Sequence, residues 1–171
     1  MTSNTNILTP RHSTNPESVR SISGFTRPAN TTEYAAGDCI FDTVATGVIQ
    51  FDNVGASGSI TNASVFMFDI ETANLELYIF DEEPTNFGDN TALALVAGDM
   101  NRLVGVFDLA DANKRLAAAA LALYEADDQG AISYTSTDGK LYGVLVTRSV
   151  FTPASGTAYG ASLHLQVDGH I

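Results

Sequence analysis

Residues 59–71 and 75–80 read SITNASVFMFDIE and LELYIF, and both runs are typical of β-strands. In the second run, Leu75, Leu77 and Ile79 fall on one face, because successive side chains of a strand point to opposite sides of the sheet. The residues between the two runs, Thr-Ala-Asn, favour a turn. The spacing of the apolar residues therefore predicts two half-buried strands joined by a short connection.

Strand-like runs recur at short intervals on both sides of this pair. They lie at residues 38–41, 47–51, 102–107, 131–135, 141–147 and 158–167. Residues 119–125 have the alanine content of a helix, but the period-two spacing of Leu121 and Leu123 and the surrounding β rhythm favour a strand. We find no alternation of strands and helices that would indicate a parallel sheet. The chain is therefore predicted to be all-β, an antiparallel β-sandwich or jelly-roll-like fold.

Two local signals refine this prediction. Residues 91–95 carry helix-favouring side chains, and either Asp89 or Asn90 before them would make a good N-terminal cap. A short helix is therefore expected at 91–95. Further along the chain, Asp138 and Gly139 form a dipeptide that is strongly associated with β-hairpin turns.

The beginning of the chain differs from the rest in composition. Residues 1–24 are rich in Ser, Thr and Asn, include Pro10 and Pro16, and contain too little apolar area to form a core. We predict an extended N-terminal arm over residues 1–24 and a β-sandwich domain over residues 25–171.

Charge is also unevenly distributed along the chain. The formal net charge is −12, yet residues 1–27 carry three arginines against one glutamate, or +2, which leaves −14 for residues 28–171. Opposite signs favour an arm that reaches onto an acidic surface, such as the body of a neighbouring copy. The candidate partner-binding residues are Arg11, Arg20, Phe25 and Arg27. Direct binding to nucleic acid or to an anionic membrane is not expected, because the body offers few cations.

The residues needed for catalysis are not gathered in any recognisable motif. Gly-x-Ser-x-Gly is absent, and the single cysteine, Cys39, is expected to be a small buried side chain. His164 lies between two leucines, which places it on the polar face of the last strand without a nucleophile beside it. We expect no catalytic and no cofactor-binding residue, and we do not predict an enzyme.

Acidic residues cluster in two predicted loops. They are Asp81, Glu82, Glu83 and Asp89 in one loop, and Asp127 and Asp128 in the other. Calcium prefers such oxygen ligands, but neither loop has the ligand spacing of an EF-hand, so solvated carboxylates and no metal site are predicted. A hydrolase that uses these carboxylates is an alternative that no motif supports.

Three blocks of the sequence resemble small virion proteins of tailed bacteriophages. The first is TRPANTTEYAAGD at residues 26–38. The second comprises residues 75–80, 89–92 and 103–105, and the third comprises residues 141–148, 151–157 and the closing strand. These blocks follow the order of that family over residues 25–167.

The resemblance implies a head decoration, or capsid cement, protein that lies on the outer surface of the capsid. Its implied partners are the major capsid protein and further copies of itself, with a trimer favoured, and its implied location is the virion. No cofactor and no catalytic residue come with the family. The alternative is a receptor- or glycan-binding sandwich on a virion spike or tail, although the absence of tryptophan counts against a carbohydrate platform.

Overall fold

The computed structural model describes residues 17–42, 47–68, 73–85, 87–110, 114–118, 121–126 and 130–168. Its elements are, in chain order, β1 (Glu17–Thr26), β2 (Cys39–Ile40), β3 (Ile49–Phe51), β4 (Ser57–Met67), β5 (Leu75–Phe80), α1 (Ala97–Arg102), β6 (Leu103–Leu109), β7 (Lys114–Ala118), β8 (Leu121–Glu125), β9 (Ile132–Thr135), β10 (Leu141–Thr147) and β11 (Ala158–Val167).

The strands form two antiparallel sheets that pack face to face. The six-stranded sheet has the order β1-β11-β4-β8-β7, and β9 pairs with the part of β4 that β8 leaves open. The five-stranded sheet has the order β2-β10-β5-β6, and β3 lies beside β2 along the same edge of β10. The predicted all-β, antiparallel sandwich is confirmed, as is a strand in the alanine-rich region, where β8 forms.

The main core lies between the two sheets. Leu75, Leu77 and Ile79 are fully buried in it, which confirms that these alternate residues of β5 share one face. From the other sheet, β11 contributes Leu163 and Leu165 to the same core. Burial of this apolar area is the main driving force that holds the sheets together.

The five-stranded sheet also has a second, separate core on its opposite face. Tyr78, Phe80 and Val144 point into this core, where Phe87 and Cys39 complete the cluster. All seven residues of β10 are buried in consequence, which explains why that strand is apolar without alternation. The prediction that Cys39 is a buried, free thiol is confirmed.

The predicted helix at 91–95 is wrong in position. Residues 91–95 are not helical, and the backbone N–H of Cys39 donates a hydrogen bond to the carbonyl of Thr91. The short helix is α1, where the Asp99 carboxylate accepts a hydrogen bond from the backbone N–H of Val96 at 3.0 Å. The capping carboxylate thus lies inside the first turn of the helix and not before it.

The predicted hairpin at Asp138 and Gly139 is also wrong. A turn does occur there, with Gly139 at a φ of 74°, a conformation that glycine adopts readily. However, β9 before the turn belongs to the six-stranded sheet and β10 after it belongs to the five-stranded sheet. The turn therefore carries the chain from one sheet to the other.

The predicted boundary between arm and domain needs correction as well. Residues 17–24 belong to β1, which pairs with β11 in continuous register from Glu17 to Thr26. The sandwich therefore includes residues 17–24, which were predicted to belong to the arm. Residues 1–16, the rest of the predicted arm, lie outside the described residues.

The hydrogen bonds at Asp99 lead to a prediction about pH. Burial raises the pKa of Asp99, but hydrogen bonds from the backbone N–H of Val96 and from both the N–H and the hydroxyl of Thr85 outweigh that effect and hold the pKa below its usual range. The ionised carboxylate therefore stabilises the fold above about pH 4, the ordinary value, and this contribution is lost as the pH falls through the lowered pKa.

We expect Asp99→Asn to reduce the free energy of unfolding by about 1–2 kcal/mol at neutral pH. The difference from wild type narrows below about pH 4, where Asp99 takes up a proton in the unfolded chain, and it disappears as the pH falls through the lowered pKa of the folded state. Urea denaturation followed by tyrosine fluorescence across this pH range measures both quantities. Glu33→Gln, at an exposed side chain, is the control with the same change of charge. A difference that stays constant with pH would contradict the assigned role of Asp99.

Candidate binding face on the six-stranded sheet

The predicted partner-binding residues occupy different environments in the structure. Arg11 lies outside the described residues. Phe25 lies on the inner face of β1, where its ring stacks on Tyr159 with the ring centroids 5.7 Å apart and packs against the main core. Arg20 is exposed on the opposite, outer face of β1. Phe25 therefore packs inside the domain, whereas Arg20 remains available on the surface.

Arg27 was predicted to bind a partner, and the structure contradicts this because the residue is only 1% exposed. Its Nε–H donates a hydrogen bond of 2.5 Å to the Tyr34 hydroxyl, which donates in turn to the Asp89 carboxylate at 2.6 Å. The guanidinium also lies 4.8 Å from the centre of the Tyr34 ring. Arg27 is therefore an internal structural cation.

The Asp89 carboxylate links this cation to the second core. It accepts a hydrogen bond from the backbone N–H of Phe41 at 3.0 Å and lies 3.9 Å from the guanidinium of Arg27. Burial, and next the hydrogen bond to Asp89, raise the pKa of the Tyr34 hydroxyl far above its ordinary value, so this group stays protonated and donates. Asp89 was considered as a calcium ligand, but its oxygens serve this network instead.

The other acidic residues of that loop do not converge on Asp89. Glu82 forms an ion pair with Arg102 at 3.0 Å. Among the described residues, no group of three or more His, Cys, Asp or Glu side chains is placed to hold a metal ion. Asp127 and Asp128, the second candidate loop, lie outside the described residues.

The exposed surface of the six-stranded sheet, on the side away from the core, is the best candidate for binding a partner. We call this surface the outer face. It includes Arg20, Ile22, Ser64, Phe66, Phe68, Leu123, Gly160, Ser162 and His164. His164 is exposed, which confirms that it lies on the polar side of the last strand.

Small residues make the middle of the outer face flat. Ser64 and Ser162 on neighbouring strands share a hydrogen bond of 2.7 Å between their hydroxyls. Both are almost fully buried, and Ser162 lies directly opposite Ile22 in the register of β1 and β11. The ring of Phe66 lies on Gly160, where an added Cβ atom would come within 2.0 Å of the ring. Glycine is therefore required at position 160 for the aromatic ring to lie flat across β11.

Apolar side chains surround this flat region. Phe68 is 52% exposed and meets Phe66 edge to face, with ring centroids 6.2 Å apart. Ile22, on the far side of β11 from Phe66, is 55% exposed. Large exposed apolar side chains gathered on one surface are typical of an interaction site.

The outer face is also the electrically neutral side of an acidic chain. Arg115 pairs with Glu125 at 2.8 Å, and Arg20 and Asp168, which do not form an ion pair, add one formal charge of each sign. The guanidinium of Arg20 donates to the Ser162 hydroxyl at 3.4 Å and so lies against the sheet.

Sequence reasoning missed Ile22, Phe66 and Phe68 as surface residues. The signal was present in residues 65–68, VFMF, because a strand that is apolar at every position presents apolar side chains on both faces. Ile22 gave no such signal, because its neighbours are serines and a glycine.

No known protein-family model matches the chain, and a search of curated proteins finds no relative. Among the described residues, no helix has the length and apolar character needed to cross a membrane.

The contrast between the two arginines yields a prediction about stability. Arg27→Met leaves the Asp89 carboxylate without its buried cation, and we expect a loss of about 3 kcal/mol or more in the free energy of unfolding. Arg20→Met removes an exposed cation from the same region of the chain and is expected to cost less than about 1 kcal/mol. Urea denaturation of the two variants measures both losses. Equal losses in the free energy of unfolding would contradict the structural role assigned to Arg27.

Proposed function

We propose that this chain is a non-enzymatic structural protein of a tailed-bacteriophage virion, which binds the outer surface of the capsid lattice and stabilises the head. The observation that carries the proposal is the outer face, a flat, neutral and partly apolar surface on an otherwise acidic protein. The sequence blocks that resemble virion proteins, above all residues 26–38, support the same assignment.

The shape of the outer face suits a partner that is itself a broad protein surface. The ring of Phe66 lies on Gly160 and the guanidinium of Arg20 lies against Ser162, so the face offers area and not a deep pocket. A single contact of this kind is weak, because the apolar area available is modest. On a lattice the contact is repeated, and an oligomer that engages several sites at once gains avidity. A trimer is the assembly that the resemblance favours.

The charge distribution supports attachment to the outside of the capsid. A body of strongly negative charge is repelled by packaged DNA, whereas a neutral outer face approaches a protein surface without that repulsion. With the outer face bound, the acidic surfaces of the sandwich point away from the head. The major capsid protein is thus the proposed partner, and the virion is the proposed location.

The first test is to locate the protein on the particle. Antibody against this chain, coupled to gold, is applied to purified virions of the phage that encodes it and imaged by electron microscopy. We expect label over the whole head surface. Label confined to tail tips or spikes would instead support a receptor-binding module and would overturn the proposal.

A second test concerns the outer face itself. Heads that lack the protein, obtained by deleting its gene, are mixed with purified variants and sedimented, and the bound protein is quantified. We expect Ile22→Glu to weaken binding at least tenfold, because it places a charge within an apolar contact. Tenfold corresponds to about 1.4 kcal/mol.

The matched control for this test is Val150→Glu. Val150 is 58% exposed, close to the 55% of Ile22, and lies in the loop between β10 and β11. It therefore adds the same charge at an equally exposed apolar position outside the outer face. Equal binding by both variants would mean that the outer face is not the contact surface.

A further inference from the structure

β1 is the last strand of the six-stranded sheet, and its outer edge is open. It pairs with β11 in continuous register over ten residues. The next pair in this register shares a hydrogen bond from the backbone N–H of Arg27 to the carbonyl of Thr157. Because backbone groups alternate in direction along an antiparallel strand, the even-numbered residues of β1 point their N–H and C=O groups away from β11. Among the residues that the structure describes, none bonds to these outward groups.

The sequence of β1 does not protect this edge. Residues 17–26, ESVRSISGFT, contain no proline and no lysine, and their pairing with β11 has no bulge. Proteins commonly use these features to prevent an edge strand from pairing with another chain. Glu17 and Arg20 cancel in formal charge, so the edge is neutral on a chain of net charge −12. The guanidinium of Arg20 also leans toward Ser162 on β11, away from the edge.

The edge is complementary to a second copy of itself. When two antiparallel β1 strands are related by a two-fold axis at Ile22, the two Ile22 side chains lie opposite each other on the outer side. The same register places Val19 of each copy opposite Phe25 of the other on the inner side. Val19 and Phe25 are half-buried at the margin of the main core, so each has apolar surface left to cover. One register therefore matches apolar side chains on both sides of the sheet.

The two registers on the N-terminal side of this one are less favourable. An axis at Ser21 places Phe25 opposite Glu17, which brings a carboxylate against an aromatic ring. An axis at Arg20 places the two Arg20 guanidinium groups directly opposite each other, and like charges in that position destabilise a strand pair. Charge and apolar matching thus select the register with its axis at Ile22.

We propose that β1 of one copy pairs antiparallel with β1 of a second copy about a two-fold axis at Ile22, so that the two six-stranded sheets become one continuous sheet. Backbone hydrogen bonds between the even-numbered residues supply the pairing. The contacts of Ile22, Val19 and Phe25 remove apolar surface from water. A two-fold contact closes with two copies, so a trimer requires a different contact.

This pairing also sets the direction of the two outer faces. The two-fold axis between antiparallel strands runs perpendicular to the sheet, so both outer faces point the same way. The contact forms without a capsid and does not rest on the proposed function. Where both hold, the dimer engages a capsid through two outer faces at once and gains avidity.

Disulfide trapping tests the contact and its register. Purified Ile22→Cys chain is oxidised mildly and separated on a non-reducing gel. We expect a covalent dimer, because hydrogen-bonded residues of an antiparallel pair have Cα atoms about 5.5 Å apart, which a disulfide spans. The native thiol of Cys39 is buried and does not compete.

Two controls accompany this variant. Val150 is 58% exposed against 55% for Ile22, so Val150→Cys measures cross-linking by random collision. Arg20→Cys lies on the same strand, but its two copies are separated by four residues, or roughly 14 Å, and should not cross-link. A yield for Ile22→Cys no higher than that for Val150→Cys would overturn the proposal. A higher yield for Arg20→Cys would show that the register is wrong.

Sedimentation equilibrium in the absence of capsids gives an independent measurement, and we expect the wild type to form a dimer. Ser18 and Thr26 are exposed and lie opposite each other across the proposed axis. Ser18→Lys/Thr26→Lys places like charges opposite each other twice in each dimer, whereas Ser18→Lys/Thr26→Glu places opposite charges there. We expect the first variant to dimerise about tenfold more weakly than the second.

The net charge of the chain favours the contrary result. Two added lysines reduce the net negative charge, so general repulsion between acidic copies alone would make Ser18→Lys/Thr26→Lys associate more strongly. Equal association of the two variants, or stronger association of the lysine pair, would contradict the pairing of β1 strands. A wild type that stays monomeric or sediments as a trimer would also overturn it. None of these outcomes depends on whether the outer face binds a capsid.

Discussion

The five-stranded sheet must be covered on both faces, and the rest of the structure depends on this constraint. One face of β5 buries Leu77 against the six-stranded sheet, while the other exposes Tyr78 and Phe80 to a second core. The segment that follows β5 supplies the cover, and Asp89 within it is tied to Arg27 through Tyr34. The Arg27–Tyr34–Asp89 network thus joins the residue that follows β1 to the covering layer. Among the residues that the structure describes, no segment covers the outer face of the six-stranded sheet in this way.

Much of the fold was predictable, because a strand that is buried on one face has apolar residues at every second position. β5, β10 and β11 were predicted with the observed bounds, β5 and β11 from alternating apolar residues and β10 from a continuous apolar run. β1 was missed over residues 17–24 because serines and a glycine fill it, and its pairing with β11 depends on backbone hydrogen bonds that have no apolar signature. The turn at Gly139 was recognisable, but whether a turn joins neighbours or crosses between sheets depends on long-range pairing that local sequence does not encode.

The candidate site was less predictable than the fold. Charge patterning drew attention to the arginines near the N-terminus, yet it cannot distinguish Arg20, which lies on the surface, from Arg27, which the fold encloses. Burial of a charge depends on a partner that is remote in the sequence, and Asp89 is more than sixty residues away from Arg27. Ile22, Phe66 and Phe68 become one surface only when β1, β11 and β4 are placed side by side.

A sandwich offers two kinds of binding surface, the faces of its sheets and the edges of its strands. The proposed function uses a face. A face contact depends on side chains, so the flat arrangement of Phe66 over Gly160 selects a partner by shape and charge. An edge contact depends on the backbone and tolerates many sequences, so it discriminates less between partners. An oligomer would present several outer faces together, and the entropy lost by holding its copies on a repeating surface is then shared among all their contacts with that surface.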